Sequence, residues 1–201
     1  MVFIDKSLAT YFAKLNIEYN HFTYITKDDL TWIHEKENCP EFSDKSDKDT
    51  WEYMITMLNK TEWINSAIKN NPFKSDQFIW IDFGIKHVYS GDLEQSIVNM
   101  SKKTYDCVRI GQINNVKIYK DWSFNKQLNE VIWVFAGGVF GGSSAKLQQF
   151  SVFVKELAEY LIKKHKTITW DVNIWFLIYK NHPRLFECYL CNHDNTLLDN
   201  Y

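Results

Sequence analysis

Gln77–Gly84 reads QFIWIDFG, and the interpretation of this stretch sets the fold. Phe78–Ile81 is apolar without alternation, the pattern of a strand covered on both faces by other layers, as in a parallel sheet flanked by helices. Asp82 follows at once and Gly84 two residues later, so the apolar run is expected to be a central, nearly fully buried strand with a carboxylate at its carboxyl end. In open α/β sheets ligands bind beyond those ends.

Upstream, Trp51, Met54, Ile55, Leu58, Ile64, Ala67 and Ile68 recur at helical spacing over residues 51–69. Thr50 is placed to cap this helix, and Asn70, Asn71 and Pro72 end it. Residues 36–49, with Pro40 and the run SDKSDKD, are polar enough to be an exposed loop and the natural place for a lid. Nearer the start, Val2–Ile4 is an apolar run closed by Asp5. Leu8, Tyr11, Phe12 and Leu15 share a helical face, and His21–Ile25 reads as a second strand.

Downstream, Tyr105–Ile110 and, more weakly, Val116–Tyr119 are strand candidates. Val131–Ala136 leads into GGVFGG, which holds four of the seven glycines of the chain. Ser143 or Ser144 can then cap a helix whose buried stripe is Leu147, Phe150, Phe153, Val154, Leu157, Leu161 and Ile162. Ile174–Tyr179 suits helix or strand equally. Strands alternating with helices give the expected architecture: one α/β domain over residues 1–201, a single mainly parallel sheet flanked by helices.

Composition narrows the function classes. The 201 residues carry 23 basic and 25 acidic side chains, net charge -2, and no basic stripe of the kind that non-specific nucleic-acid binding needs. Aromatic content is high, with 14 Phe, 11 Tyr and 8 Trp, which either fill a core or line a groove for a flat ligand such as a base or sugar. Cys39, Cys107, Cys188 and Cys191 do not form a disulfide framework, and the opening MVFIDKS lacks the features of an export signal. No apolar run approaches the ~20 residues of a membrane span. A cytoplasmic protein is expected, in the host cytoplasm if the source is viral.

Asp82 has two readings: an oxygen ligand for Mg²⁺ or Mn²⁺ bridged to phosphate, or a turn carboxylate satisfying nearby N–H groups. His87 suits the surface better than a metal. Gly137–Gly142 is neither a dinucleotide fingerprint nor a Walker loop. Its glycines provide either a tight turn or bare backbone against a ligand near a helix start, and a ligand-contacting loop is the preferred reading. Phe140 is then a stacking platform or a plug into the core. Asp171 in TITWD is a candidate general base, provided that burial raises its pKa, or a helix cap, or both. Cys188-x-x-Cys191 has no second ligand pair and reads as small buried cysteines. His193 and Asp194 stand at the edge of the last structured segment, where either could complete a hard-metal site built on Asp82. No G-x-S-x-G elbow, H-E-x-x-H helix, EF-hand loop or kinase signature is present.

LNKTEWINSAIKNNPFKSDQFIWIDFGIKHV (58–88), VFAGGVFGGS (134–143), TWDVNIW (169–175) and NHDNTLL (192–198) resemble, in order, the bacterial and viral HtrL/YibB-like proteins. These in turn resemble glycosyltransferases of the GT-A class. The resemblance implies a nucleotide-sugar donor, a glycan or glycolipid acceptor and a divalent cation, Mn²⁺ or Mg²⁺. It implies Asp82 and His193 as metal ligands, Asp171 as the acid facing the acceptor, and Lys60 with Gly137, Gly138, Gly141 and Gly142 around the donor. Gly84 stands where the usual motif has a second Asp. Related proteins also begin with a strand of the type TafyDIgR, whereas this chain opens at MVFID, which resembles their second strand. The expectation is therefore a chain lacking that first strand, with self-association through the sheet edge so exposed. The alternatives to a sugar transferase are an inactive or truncated nucleotide- or carbohydrate-binding relative and a structural interaction module.

Overall fold

The computed structural model describes residues 1–14, 22–44, 46 and 49–201. Leu15, His21 and part of the SDKSDKD run therefore lie outside the described residues. The elements in order are β1 (Val2–Asp5), α1 (Ala9–Ala13), β2 (Phe22–Ile25), α2 (Trp51–Asn70), β3 (Gln77–Ile81) and α3 (Leu93–Ser101). There follow β4 (Val108–Gln112), α4 (Phe124–Asn129), β5 (Phe135–Ser143), α5 (Ser144–Tyr160), α6 (Asp171–Asn181), β6 (Phe186–Leu190) and α7 (Thr196–Asp199). Thr50 caps α2 as the sequence suggests, its side chain accepting from the Tyr53 N–H. Val116–Tyr119, read as a weak strand, is a 3-10 turn.

The sheet differs from the expected one. Instead of a single mainly parallel sheet, the described residues form two sheets: β1 and β2 pair in parallel by themselves, and a four-stranded mixed sheet has the order β3-β5-β4-β6. In it β5 runs antiparallel to both β3 and β4, while β4 and β6 are parallel. The cause lies in Phe135–Ser143. GGVFGG is not a loop between a strand and a helix but most of a nine-residue strand, threaded between two others. It serves both faces of the sheet, and an irregularity in its pairing with β4 between Phe135 and Phe140 brings both rings to the same side. Phe135 and Phe140 enter the larger core with Leu58, Phe150 and Trp175, beneath α2, α5 and α6. Ala136 and Val139 enter a smaller core with Ile85, Tyr89, Tyr189, Leu197 and Tyr201. Phe140 is thus a plug into the core, fully buried.

A second correction concerns β3. It is an edge strand, not a central one, and each of its five residues is only half-buried. Its apolar character on both faces has a local explanation: Phe78 and Trp80 pack against the larger core, Ile79 and Ile81 against the smaller. Sequence periodicity reports how many faces are covered and is blind to which edge is paired.

The two glycines at the far end of β5 answer to packing. A Cβ on Gly141 would lie 2.1 Å from the Tyr201 hydroxyl and 2.6 Å from the Phe78 carbonyl oxygen. Gly142 has φ +143°, and a Cβ there would lie 1.8 Å from the Cys107 carbonyl oxygen. Gly142→Ala should therefore cost about 3 kcal/mol or more, a fall in Tm of roughly 6–12 °C for a chain of this size. Gly84→Ala, whose Cβ would meet only the His87 ring at 3.5 Å, should stay near wild type. Thermal melts of the two variants check this, and equal Tm values would refute it.

Candidate functional site

The long amphipathic α2 buries three consecutive polar side chains, Asn59, Lys60 and Thr61, that its apolar stripe does not account for. Lys60 is only 3% exposed, and its stem runs from the helix toward the end of β3. There the ammonium donates to Asp82 Oδ2 at 3.0 Å and to the Gly137 carbonyl oxygen at 3.1 Å, with Asp171 Oδ2 at 3.4 Å as a looser ion pair. An ammonium has three protons and no acceptor capacity; two are placed in these hydrogen bonds, and Asp171 Oδ2 is held by charge.

Each partner is positioned by a different element. Asp82 follows β3, its N–H donating to the Gly138 carbonyl oxygen of β5. It stands at the head of a 3-10 turn, yet its side chain caps nothing. Instead Oδ1 accepts the Trp80 indole N–H at 2.6 Å and Oδ2 takes Lys60. Asp171 is the first residue of α6, where the helix dipole favours a carboxylate. Its Oδ1 accepts the Val172 N–H, while the buried Oδ2 has the ammonium for company but no hydrogen bond of good geometry. Gly137 lets these elements meet: a Cβ on it would come within 3.3 Å of both Asp171 Oδ2 and Val172 Cγ1.

Burial is the main force on the two innermost charges. It pushes the Asp171 carboxyl above the usual range, Lys60 opposing and the Asp82 charge reinforcing that rise. For Lys60 burial works the other way, but the pull of Asp171 and Asp82 outweighs it and holds the ammonium above the ordinary lysine value. Tyr53, two turns earlier on the same helix face, feels the same field. Its phenol is raised by partial burial and then by Asp171. Sequence reasoning passed over Tyr53, although the seven-residue spacing from Lys60 places the two together.

An apolar groove of about 760 Å³ runs from this cluster along β3, between α2 and the β1 strand. Phe3, Trp63 and Trp80 stack along it with centroids 5.9 and 5.8 Å apart, and Phe140 continues the stack into the core. Trp80 joins the two features, one face in the groove and its N–H on Asp82.

Of the residues singled out in the sequence, Lys60, Asp82, Asp171, Gly137 and Gly138 come together here. Gly141 and Gly142 lie roughly 13 Å further along β5, in the packing described above. His193 is exposed and sets its ring edge-on against Trp133, with centroids 5.1 Å apart. Asp194 accepts from Thr196. Cys188 and Cys191 are free thiols raised by burial to about 11. Among the described residues no three His, Cys, Asp or Glu side chains gather around one point. An ammonium already lies 3.0 Å from Asp82, so the protein's own donors do not form a cage for a divalent cation: an ion here would take nearly all of its oxygens from water or substrate.

A buried acid–lysine–acid cluster stands at a strand end of this mixed-sheet protein, and two of its members, Lys60 and Asp82, line the aromatic groove. The chain belongs to the HtrL_YibB family, whose model matches residues 9–195 and is described as a bacterial protein of unknown function. No curated protein matches it. Among the described residues, no helix is long and apolar enough to cross a membrane.

Removing the ammonium would leave two facing carboxylates. Lys60→Met should lose about 3–5 kcal/mol near neutral pH. The loss should shrink as pH falls from the raised value toward the ordinary carboxyl value, because in the variant Asp171 is freed from the opposing pull of Lys60 and takes up a proton in the native chain more readily than in wild type. Denaturant melts of wild type and variant across that window test the sign; a loss that grows with acidification would refute it.

Proposed function

We propose that this chain transfers a glycosyl group from a nucleotide-sugar donor to an acceptor hydroxyl. The observation that carries the reading is the meeting of Asp82, Lys60 and Asp171 with the bare backbone of Gly137 at one end of the sheet, beside a groove walled by tryptophans. A carboxylate with a raised pKa suits proton abstraction from a hydroxyl. In the transfer Asp171 takes the acceptor proton and the acceptor oxygen bonds to the anomeric carbon. The bond from that carbon to the diphosphate oxygen breaks, and the nucleoside diphosphate leaves with the electron pair. Asp82, about one-third exposed, is placed to accept hydrogen bonds from donor hydroxyls, and the aromatic groove offers stacking faces to a base or sugar ring.

Asp171→Asn should fold and bind donor while turnover falls by about 10²–10⁴, since the amide keeps the shape but accepts no proton. Unchanged turnover at saturating donor would remove Asp171 from the reaction.

A second reading, a nucleotide- or carbohydrate-binding relative without turnover, has one observation in its favour. The outer edge of β3 has no strand partner among the described residues and borders the apolar groove, a sheet left open beside the site. Donor binding with no hydrolysis or transfer would decide for it. The same edge supports self-association: sedimentation over a wide dilution range should show a concentration-dependent oligomer, and a monomer throughout would count against it.

A further inference from the structure

We infer that the Lys60 ammonium is the resident cation of this cleft, standing between Asp82 and Asp171 in the place that a divalent ion would have to occupy, so that donor binding there needs no metal. The inference deepens the reading of the cleft as a sugar-transfer site, but its metal-binding half stands without that reading.

The first argument is one of size. Three oxygens surround the Lys60 Nζ: Asp82 Oδ2 at 3.0 Å, the Gly137 carbonyl oxygen at 3.1 Å and Asp171 Oδ2 at 3.4 Å. These are the distances of N–H···O contacts, whereas Mg²⁺ draws oxygens to about 2.1 Å and Ca²⁺ to about 2.3–2.6 Å. The ammonium itself, seated between these oxygens, keeps them from closing to that radius.

The second argument is access and charge. Lys60 lines the groove yet is only 3% exposed, because Met57, Trp63 and Ile64 border the same wall, so the ammonium is withdrawn from water where it stands and its oxygens hold it in place. A divalent ion seated on Asp82 with Lys60 still present would put like charges side by side in a poorly hydrated place. The third argument is the want of further ligands. Asp82 Oδ1 and Asp171 Oδ1 are already engaged, and among the described residues His193 does not gather with them.

Removing the ammonium should therefore create the metal site that it now fills. Mn²⁺ and EDTA should leave the Tm of the wild-type protein unchanged, and calorimetric titration with Mn²⁺ should give no binding heat. Lys60→Met keeps the length of the stem and uncovers two carboxylates, so it should gain Mn²⁺ binding, read as heat and as a rise in Tm. Adding Asp82→Asn to it should abolish that gain. If Lys60→Met folds only with Mn²⁺ present, that rescue is itself the expected gain. Lys60→Arg, which retains the charge, should stay indifferent to Mn²⁺. UDP- and GDP-sugars should bind wild type equally in Mn²⁺ and in EDTA. Mn²⁺ binding by wild type that is lost in Asp82→Asn would overturn the assignment. So would a tenfold tightening of donor binding by Mn²⁺, or a Lys60→Met protein that folds and ignores Mn²⁺. Failure of every donor to bind under either condition would instead sink the sugar-transfer reading and leave the Mn²⁺ titrations to judge the cation.

Discussion

A lysine ammonium can be withdrawn from water only if anionic or dipolar oxygens replace its hydration shell, and that requirement organises this molecule. Lys60 comes from the middle of α2, Asp82 from the end of β3, the Gly137 carbonyl from β5 and Asp171 from the start of α6. None of these groups is well placed alone: Asp171 without the ammonium is a buried unpaired charge, and the ammonium without Asp171 loses half of its counter-charge. The contacts tie together four elements remote in sequence at the end of the groove. Specificity of assembly is what such an ion cluster supplies best, because a misplaced α6 or a β5 shifted by one residue leaves a charge stranded.

β5 is the other half of the design. It is flanked on both edges and packed on both faces, with large side chains at Phe135 and Phe140 and none at Gly137, Gly138, Gly141 and Gly142. At one end the missing side chains admit the charged cluster; at the other they admit Tyr201 and the β4 backbone. One strand thus couples the stability of the whole sheet to the geometry of the cleft.

The contributions that were legible in the sequence are those that depend on neighbours along the chain. The stripe and cap of α2, the helix following Ser143 and the carboxylate closing FIWI all follow from local spacing. The cluster residues were individually visible, Lys60 only through family resemblance. That Lys60 bridges the two acids could not be read, since a lysine between Asn59 and Thr61 on a helix looks solvated. Strand pairing was illegible for a similar reason. The antiparallel insertion of β5 and the edge position of β3 depend on partners remote in sequence, while alternation within a strand reports only its faces. GGVFGG was misleading because glycine normally weakens a strand; here long-range packing overrides that tendency.

Trp80 stands at the junction of cleft and groove. Its ring is sandwiched in the Phe3–Trp63–Trp80–Phe140 stack and its N–H is bonded to a carboxylate that is itself part of an ion pair. The excited state of an indole is sensitive to both circumstances: a nearby anion shifts its emission, and a parallel neighbour such as Trp63 couples to it and shapes the near-ultraviolet dichroism. The protein therefore carries an intrinsic optical gauge of its own cleft, one that needs no label and no knowledge of the ligand. Any molecule that slides between the rings or competes for Asp82 changes the light that Trp80 gives back.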